Sequence, residues 1–154
     1  IMKNLFIIFT LLLLINCSFK PIYSEKNLKN LNISIDELNI NGDRTANIYF
    51  KNRLNQYTSK VSANSVNLNI NSKFIKEIKS KDSKGDASSY ELTLFVKAVV
   101  SNDKGNIFTR SYEQEFEYET ITNKAQLKEY ENTIIQNLAE NILNKIISDI
   151  ESNS

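Results

Sequence analysis

Hydrophobic and polar residues alternate along most of this chain, and the period of the alternation changes where the secondary structure should change. At Leu31-Asn32-Ile33-Ser34-Ile35-Asp36 the apolar residues take odd positions, the period-two signature of a half-buried strand. Asn41-Gly42-Asp43 follows as a turn, with Asp43 placed to cap a helix. Ala46, Phe50, Leu54 and Tyr57 then recur every three or four residues, so this helix should end near Ser59. Val66, Leu68 and Ile70 alternate with Asn67, Asn69 and Asn71, and Phe74 and Ile78 continue the even face. The spacing predicts one long strand with a bulge near Ser72, although the short run 74–78 also fits a helix.

Asp82-Ser83-Lys84-Gly85-Asp86 is a hairpin signal, after which Tyr90, Leu92, Leu94, Val96, Ala98 and Val100 keep one face apolar. A second turn at Asn102-Asp103-Lys104-Gly105-Asn106 leads to a fourth strand. It carries Phe108, Tyr112, Phe116 and Tyr118 on one face and Ser111, Glu113, Glu115, Glu117 and Glu119 on the other. From Thr122 or Asn123 a long helix runs to the end, with Tyr130, Ile134, Leu138, Ile142, Ile146 and Ile150 in one row and Ile135, Ala139, Leu143 and Ile147 in the next. The order βαβββα predicts an α+β two-layer sandwich, two helices packed on one face of a four-stranded mixed sheet. The first two strands should be parallel across the helix and the last three an antiparallel meander.

The N-terminus departs from this pattern. Met2-Lys3-Asn4 precedes an almost unbroken apolar run from Leu5 to Ile15, too short for a membrane span but suited to the core of a secretory signal. The run ends in Leu14-Ile15-Asn16-Cys17, which resembles the bacterial lipobox except that Asn16 stands where a smaller residue is usual. On this reading residues 1–16 are a lipoprotein signal peptide, Cys17 carries the lipid, 17–30 form a tether containing Pro21, and 31–154 form one domain. Two or three acyl chains hold a protein on a membrane where one binds only marginally. Ser18, rather than Asp, after the Cys favours the outer membrane by the sorting rule of enteric bacteria.

Composition narrows the chemistry. The 154 residues carry 19 Lys and Arg against 18 Asp and Glu, a net charge of +1, so binding of nucleic acid through a broadly basic surface is not expected. With no His and a single Cys there is no imidazole base, no intramolecular disulfide and no Cys-rich metal site. Neither a cofactor nor a metal is expected. The row Glu113, Glu115, Glu117 and Glu119 could supply a glycosidase acid pair only if two of them faced each other across a cleft. A flat solvated row or an edge-protecting row fits the spacing better. The aromatic rows, including Tyr49, Phe50 and Tyr57, read as core and core rim.

Three features together resemble the LPS-assembly lipoprotein family LptE, in its alphaproteobacterial form. Cys17-Ser18-Phe19-Lys20-Pro21-Ile22-Tyr23 is similar to that family's Cys-Gly-Phe-x-Pro-Leu-Tyr opening. Lys84-Gly85-Asp86-Ala87-Ser88-Ser89-Tyr90-Glu91-Leu92 is similar to its Gly-x-x-Ala-Glu-Tyr-Glu-Leu turn into a strand. The acidic-aromatic strand before a long terminal helix, and the βαβββα order, are the family's as well. Ser18, Ser89 and Lys in place of Arg are departures.

The resemblance implies a non-enzymatic protein on the periplasmic side of the outer membrane. Its partner would be an LptD-type β-barrel, which it plugs and helps assemble for lipopolysaccharide transport. Contact with lipopolysaccharide phosphates would call for clustered cations. The candidates are Lys79, Lys81 and Lys84, with Lys76 before them at the hairpin, and Lys124 and Lys128 at the start of the last helix. The rival readings are a lipoprotein serving another outer-membrane complex, such as a secretion pilot, and an acid-dependent hydrolase using the Glu row.

Overall fold

The computed structural model describes residues 33–58, 62 and 64–153. The proposed signal segment, Cys17 and the tether lie outside the described residues. Strand β1 (Ile33–Gly42) is followed by helix α1 (Arg44–Thr58), strands β2 (Asn64–Lys81), β3 (Ala87–Asn102) and β4 (Gly105–Glu119), and helix α2 (Lys124–Asn153). The sheet order is β1-β2-β3-β4, with β1 parallel to β2 and the other two pairs antiparallel. The expected βαβββα order and mixed sheet are therefore those observed. No helix among the described residues is long and apolar enough to cross a membrane.

Both helices lie on the even face of the sheet. Phe50 and Leu54 of α1, Leu68 and Ile70 of β2, Leu92, Leu94 and Val96 of β3, and Ile142, Leu143 and Ile146 of α2 are fully buried there. Burial of this apolar surface is the main favourable term in folding, at about 25 cal/mol for each Å² removed from water. The opposite face of the sheet carries no helix among the described residues and is built from the odd residues of β2, β3 and β4 together with Glu37 and Asn39 of β1.

Two local expectations are corrected, and the strand reading of 74–79 is upheld over its helical alternative. There is no bulge at Ser72, which pairs regularly with Gly42 on one side and Val96 on the other. The irregularity lies in β1 between Ile35 and Glu37, and it moves the inward positions from odd (Ile33, Ile35) to even (Leu38, Ile40). Further shifts occur near Ser80, where β2 approaches its hairpin. Residues 74–79 are strand, settled by their pairing with β3 from Phe74↔Leu94 to Ile78↔Tyr90. Tyr130, expected in the buried row of the last helix, is 39% exposed.

The β1–α1 corner explains why β1 stops. Gly42 has φ +107°, and a Cβ there would lie 1.8 Å from the Ser72 carbonyl oxygen, so only glycine fits. Asp43 caps α1 by accepting a bond from the Ala46 amide at 2.9 Å. Its own amide donates to the Ser72 hydroxyl at 2.8 Å, and that hydroxyl donates to Asn47 Oδ1 at 2.9 Å. The buried Ser72 thus joins the end of β1, the start of α1 and the middle of β2. Beyond it, Lys73–Lys81 of β2 has no neighbour on the β1 side among the described residues.

Candidate functional site

The hairpin between β2 and β3 is fixed by Asp82. Its side chain accepts bonds from the amides of Lys84 and Asp86, both at 2.9 Å, and its amide donates to the Asp86 carbonyl at 2.8 Å. Gly85, at φ +88°, supplies the left-handed residue that the turn requires. Strand β4 ends beside this hairpin, with Glu119 opposite Ser89 and the Thr120 amide bonded to the Ser88 carbonyl. Helix α2 therefore begins at the same end. Asn123 caps it through bonds from the Ala125 and Gln126 amides at 2.9 and 3.2 Å.

This connectivity brings together the two groups of lysines that are far apart in sequence. Lys81 and Lys84 are exposed at the hairpin, and Lys124 and Lys128 are exposed on the first two turns of α2. None of these four is ion-paired among the described residues. Lys79 differs: it stands on the open face of the sheet, 2.8 Å from Glu91. The hydrogen bond to Glu91, followed by the fields of Glu91, Glu117 and Glu115, raises its pKa. Its charge is thus partly answered within the protein, and it is the least available of the five candidates.

Beneath the lysines lies a network that the sequence pattern did not reveal. Lys76 points to the helix side, where its Nζ lies 2.6 Å from Glu131 and 3.9 Å from the centre of the Tyr90 ring. The Tyr118 hydroxyl donates to the same Glu131 oxygen at 2.5 Å. Tyr118 stacks on Tyr90 at 5.8 Å and meets Tyr130 edge-on at 5.7 Å. Burial, then the hydrogen bond to Glu131, pushes the Tyr118 phenol well above its usual pKa. Around this network Ile78, Phe116 and Tyr130 are 52%, 44% and 39% exposed, so this end of the molecule presents apolar and aromatic surface beside unpaired lysines.

A shallow polar depression of about 710 Å³ adjoins the hairpin, lined by Ser80, Ser88, Ser89, Glu117 and Thr120. Ser80 is hydrogen-bonded to Ser88 and Ser89 at 2.6 and 2.8 Å, and Ser89 donates to Glu117 at 3.2 Å. The sequence signal for the whole arrangement was slight: one lysine on an otherwise apolar face, and a glutamate in the second turn of a helix.

Glu113, Glu115, Glu117 and Glu119 project from the open face of β4, an edge strand. They face no opposing wall, so the two-carboxylate geometry of a glycosidase is not built here. Among the described residues no group of three or more acidic, Cys or His side chains is placed to hold a metal. The described residues thus form a sheet with one open face and an aromatic and cationic end.

The family model LptE, lipopolysaccharide-assembly, matches residues 31–150, and the chain belongs to that family. It is thereby one of a non-enzymatic group of lipopolysaccharide-assembly lipoproteins of the outer membrane. Among solved structures, rare lipoprotein B from Shewanella oneidensis is similar, with TM-score 0.58 at 13% identity over 75% of this chain and 94% of that one. A putative lipoprotein from Caulobacter crescentus gives TM-score 0.49 at 11% identity over 79% and 89% of the two chains. A minor lipoprotein from Acinetobacter baumannii gives 0.48 at 16% over 74% and 94%. At these identities the first likeness speaks for the fold alone. No curated protein matches the chain in a sequence comparison.

Proposed function

We propose that this protein is anchored by a lipid on Cys17 to the periplasmic side of the outer membrane. There it plugs and helps assemble an LptD-type β-barrel for the passage of lipopolysaccharide. Residues 1–16 direct export, 17–30 form the tether, and 31–154 form the working domain. The observation that carries the reading is the convergence of Lys81 and Lys84 with Lys124 and Lys128 at one end, beside exposed Ile78, Phe116 and Tyr130. An amphiphile with phosphates at the head of its acyl chains offers the complementary pairing of anion and apolar surface. Lys79 contributes from the open side.

Two measurements test this. Mild crosslinking in cells followed by isolation of the protein should recover a large outer-membrane β-barrel. Recovery of a secretion ring, or of no barrel, overturns the partner assignment. Charge reversal at Lys79, Lys81 and Lys84 to Glu should lower binding of purified lipopolysaccharide by about tenfold or more. Unchanged binding in a folded variant removes the hairpin from the ligand surface.

A further inference from the structure

The open face of the sheet is divided by charge. Toward the hairpin, Glu77, Glu91 and Glu117 stand side by side on three adjacent strands, with Lys79 bridging to Glu91. Toward the other end the positions are mostly amides and hydroxyls, with Asn67 and Asn69 on β2 opposite Ser101 and Val99 on β3, and Glu37 of β1 beside Asn67 as the one charge there among the described residues. Between these zones lies a different grid. Lys73, Phe95 and Glu113 face one another across β2, β3 and β4, and Asn71, Lys97 and Ser111 form the next row. Lys73 and Lys97 are thus diagonal neighbours, about 7–8 Å apart at the backbone, with the Phe95 ring beside both.

Three properties separate this grid from a merely solvated face. Neither lysine is ion-paired among the described residues, whereas Lys76 and Lys79 both are. The grid borders a depression of about 360 Å³, lined by these six residues together with Val96 and Tyr112. Phe95 is half-buried and lines this depression among polar neighbours. Two unanswered cations call for an anion. An aromatic face with its negative quadrupole suits the C–H-rich face of a sugar ring. Asn71, Ser111 and Glu113 supply the amide, hydroxyl and carboxylate that bind sugar hydroxyls.

We propose that this face binds the phosphorylated sugar headgroup of a glycolipid. A pyranose ring lies on Phe95, its phosphate sits between Lys73 and Lys97, and its hydroxyl groups meet Asn71, Ser111 and Glu113. The inference rests on the lipopolysaccharide-assembly reading and adds to it a second contact, on the sheet and separate from the lysines of the hairpin end.

The test uses the whole ¹⁵N-labelled chain in a polyoxyethylene detergent, which carries neither sugar nor phosphate. The probe is a bisphosphorylated glucosamine disaccharide. The controls are the same disaccharide without phosphates, inorganic phosphate and glucosamine 1-phosphate. The expected result is amide shifts centred on 71–73, 95–97 and 111–113, with each control binding at least about tenfold more weakly. Lys73→Gln with Lys97→Gln should lower affinity for the probe by about tenfold, and Phe95→Leu should lower it while keeping the fold. Lys145→Gln, exposed on α2 on the other side of the sheet, should leave it unchanged.

No shifts at 71–73, 95–97 and 111–113, or full binding by the double Lys→Gln variant, overturn the site. Equal binding by inorganic phosphate overturns the sugar, and equal binding by glucosamine 1-phosphate overturns the glycolipid headgroup as its source. The two readings fail separately. Recovery of a barrel with no shifts on this face defeats only the present inference, whereas shifts on this face without a barrel defeat only the partner assignment.

Discussion

Gly42 and Gly85 both have positive φ, yet their surroundings differ enough to separate two costs. At Gly85 nothing lies within 4 Å of a built Cβ, so Gly85→Ala meets only the backbone penalty, about 1–2 kcal/mol. At Gly42 the added carbon would strike the Ser72 backbone as well. Gly42→Ala should cost about 3 kcal/mol or more, because β1 and the α1 cap must part to admit it. Urea unfolding of the two variants measures the difference, and equal losses would refute the close approach at Ser72. Neither cost could be read from the sequence, where both glycines look like ordinary turn residues.

Three ionisable side chains have shifted titrations, two of them through a bond they share. Burial comes first in raising the Tyr112 phenol, followed by its hydrogen bond to Asp149 at 2.6 Å. Tyr118 is raised in the same way above the ordinary value of 10.0. A phenol whose folded pKa is raised adds stability below its unfolded pKa and loses it as pH climbs toward the folded value. Stability should therefore fall from about pH 10 upward, and Tyr112→Phe with Tyr118→Phe should make that fall shallower. Ultraviolet titration of phenolate in the native protein should find these two tyrosines still protonated after the exposed ones have ionised. Asp149 works in the opposite sense: the Tyr112 hydroxyl, then Arg110, lowers its pKa, so its contribution is present at neutral pH and disappears on acidification below the ordinary value of 3.8.

At the scale of elements, α2 is attached at two places through polar side chains on the helix-covered face of the sheet. Lys76 and Tyr118 hold Glu131 near its start, and Tyr112 and Arg110 hold Asp149 near its end. Between them Ile142 and Ile146 are fully buried. Ile142→Ala should cost about 2–5 kcal/mol, and Glu131→Ala about 1–2 kcal/mol through the loss of one acceptor shared by two donors. Thermal unfolding ranks them, and a larger loss for Glu131→Ala would make the polar attachment the dominant one.

The helix rows, the meander and the alternation of β3 were legible because each repeats a period over many residues. The β1 bulge was not: Asp36 and Glu37 stand adjacent, and two consecutive polar residues look equally like the end of a strand. The attachment residues were not legible either, since Lys76 and Arg110 interrupt apolar rows and their carboxylate partners lie 55 and 39 positions further along the chain. Of the candidate site, the lysines could be named from the sequence, but their convergence depended on where β4 ends and α2 begins.

For the whole molecule, a net charge of +1 conceals a sorted surface. Cations gather at the hairpin end and in the middle of the open face, while carboxylates line β4 and the hairpin side of that face. Interactions with a phosphorylated amphiphile should accordingly be local and salt-sensitive. Raising salt from 0.05 to about 0.5 M should weaken lipopolysaccharide binding severalfold. Salt-insensitive binding would assign the contact to Ile78, Phe116 and Tyr130 instead.

The 18-residue length of β2 has a further consequence. Ile33, where the described chain begins, pairs with Asn64 at one end of that strand, and the lysine-bearing hairpin follows the other end. At about 3.3 Å per residue the strand spans about 55 Å, well beyond the roughly 30 Å hydrocarbon core of a bilayer. Within the domain the lysine-bearing end therefore stands farther from the Ile33 end than a bilayer core is thick, so whatever is held at one end is out of reach of whatever is held at the other.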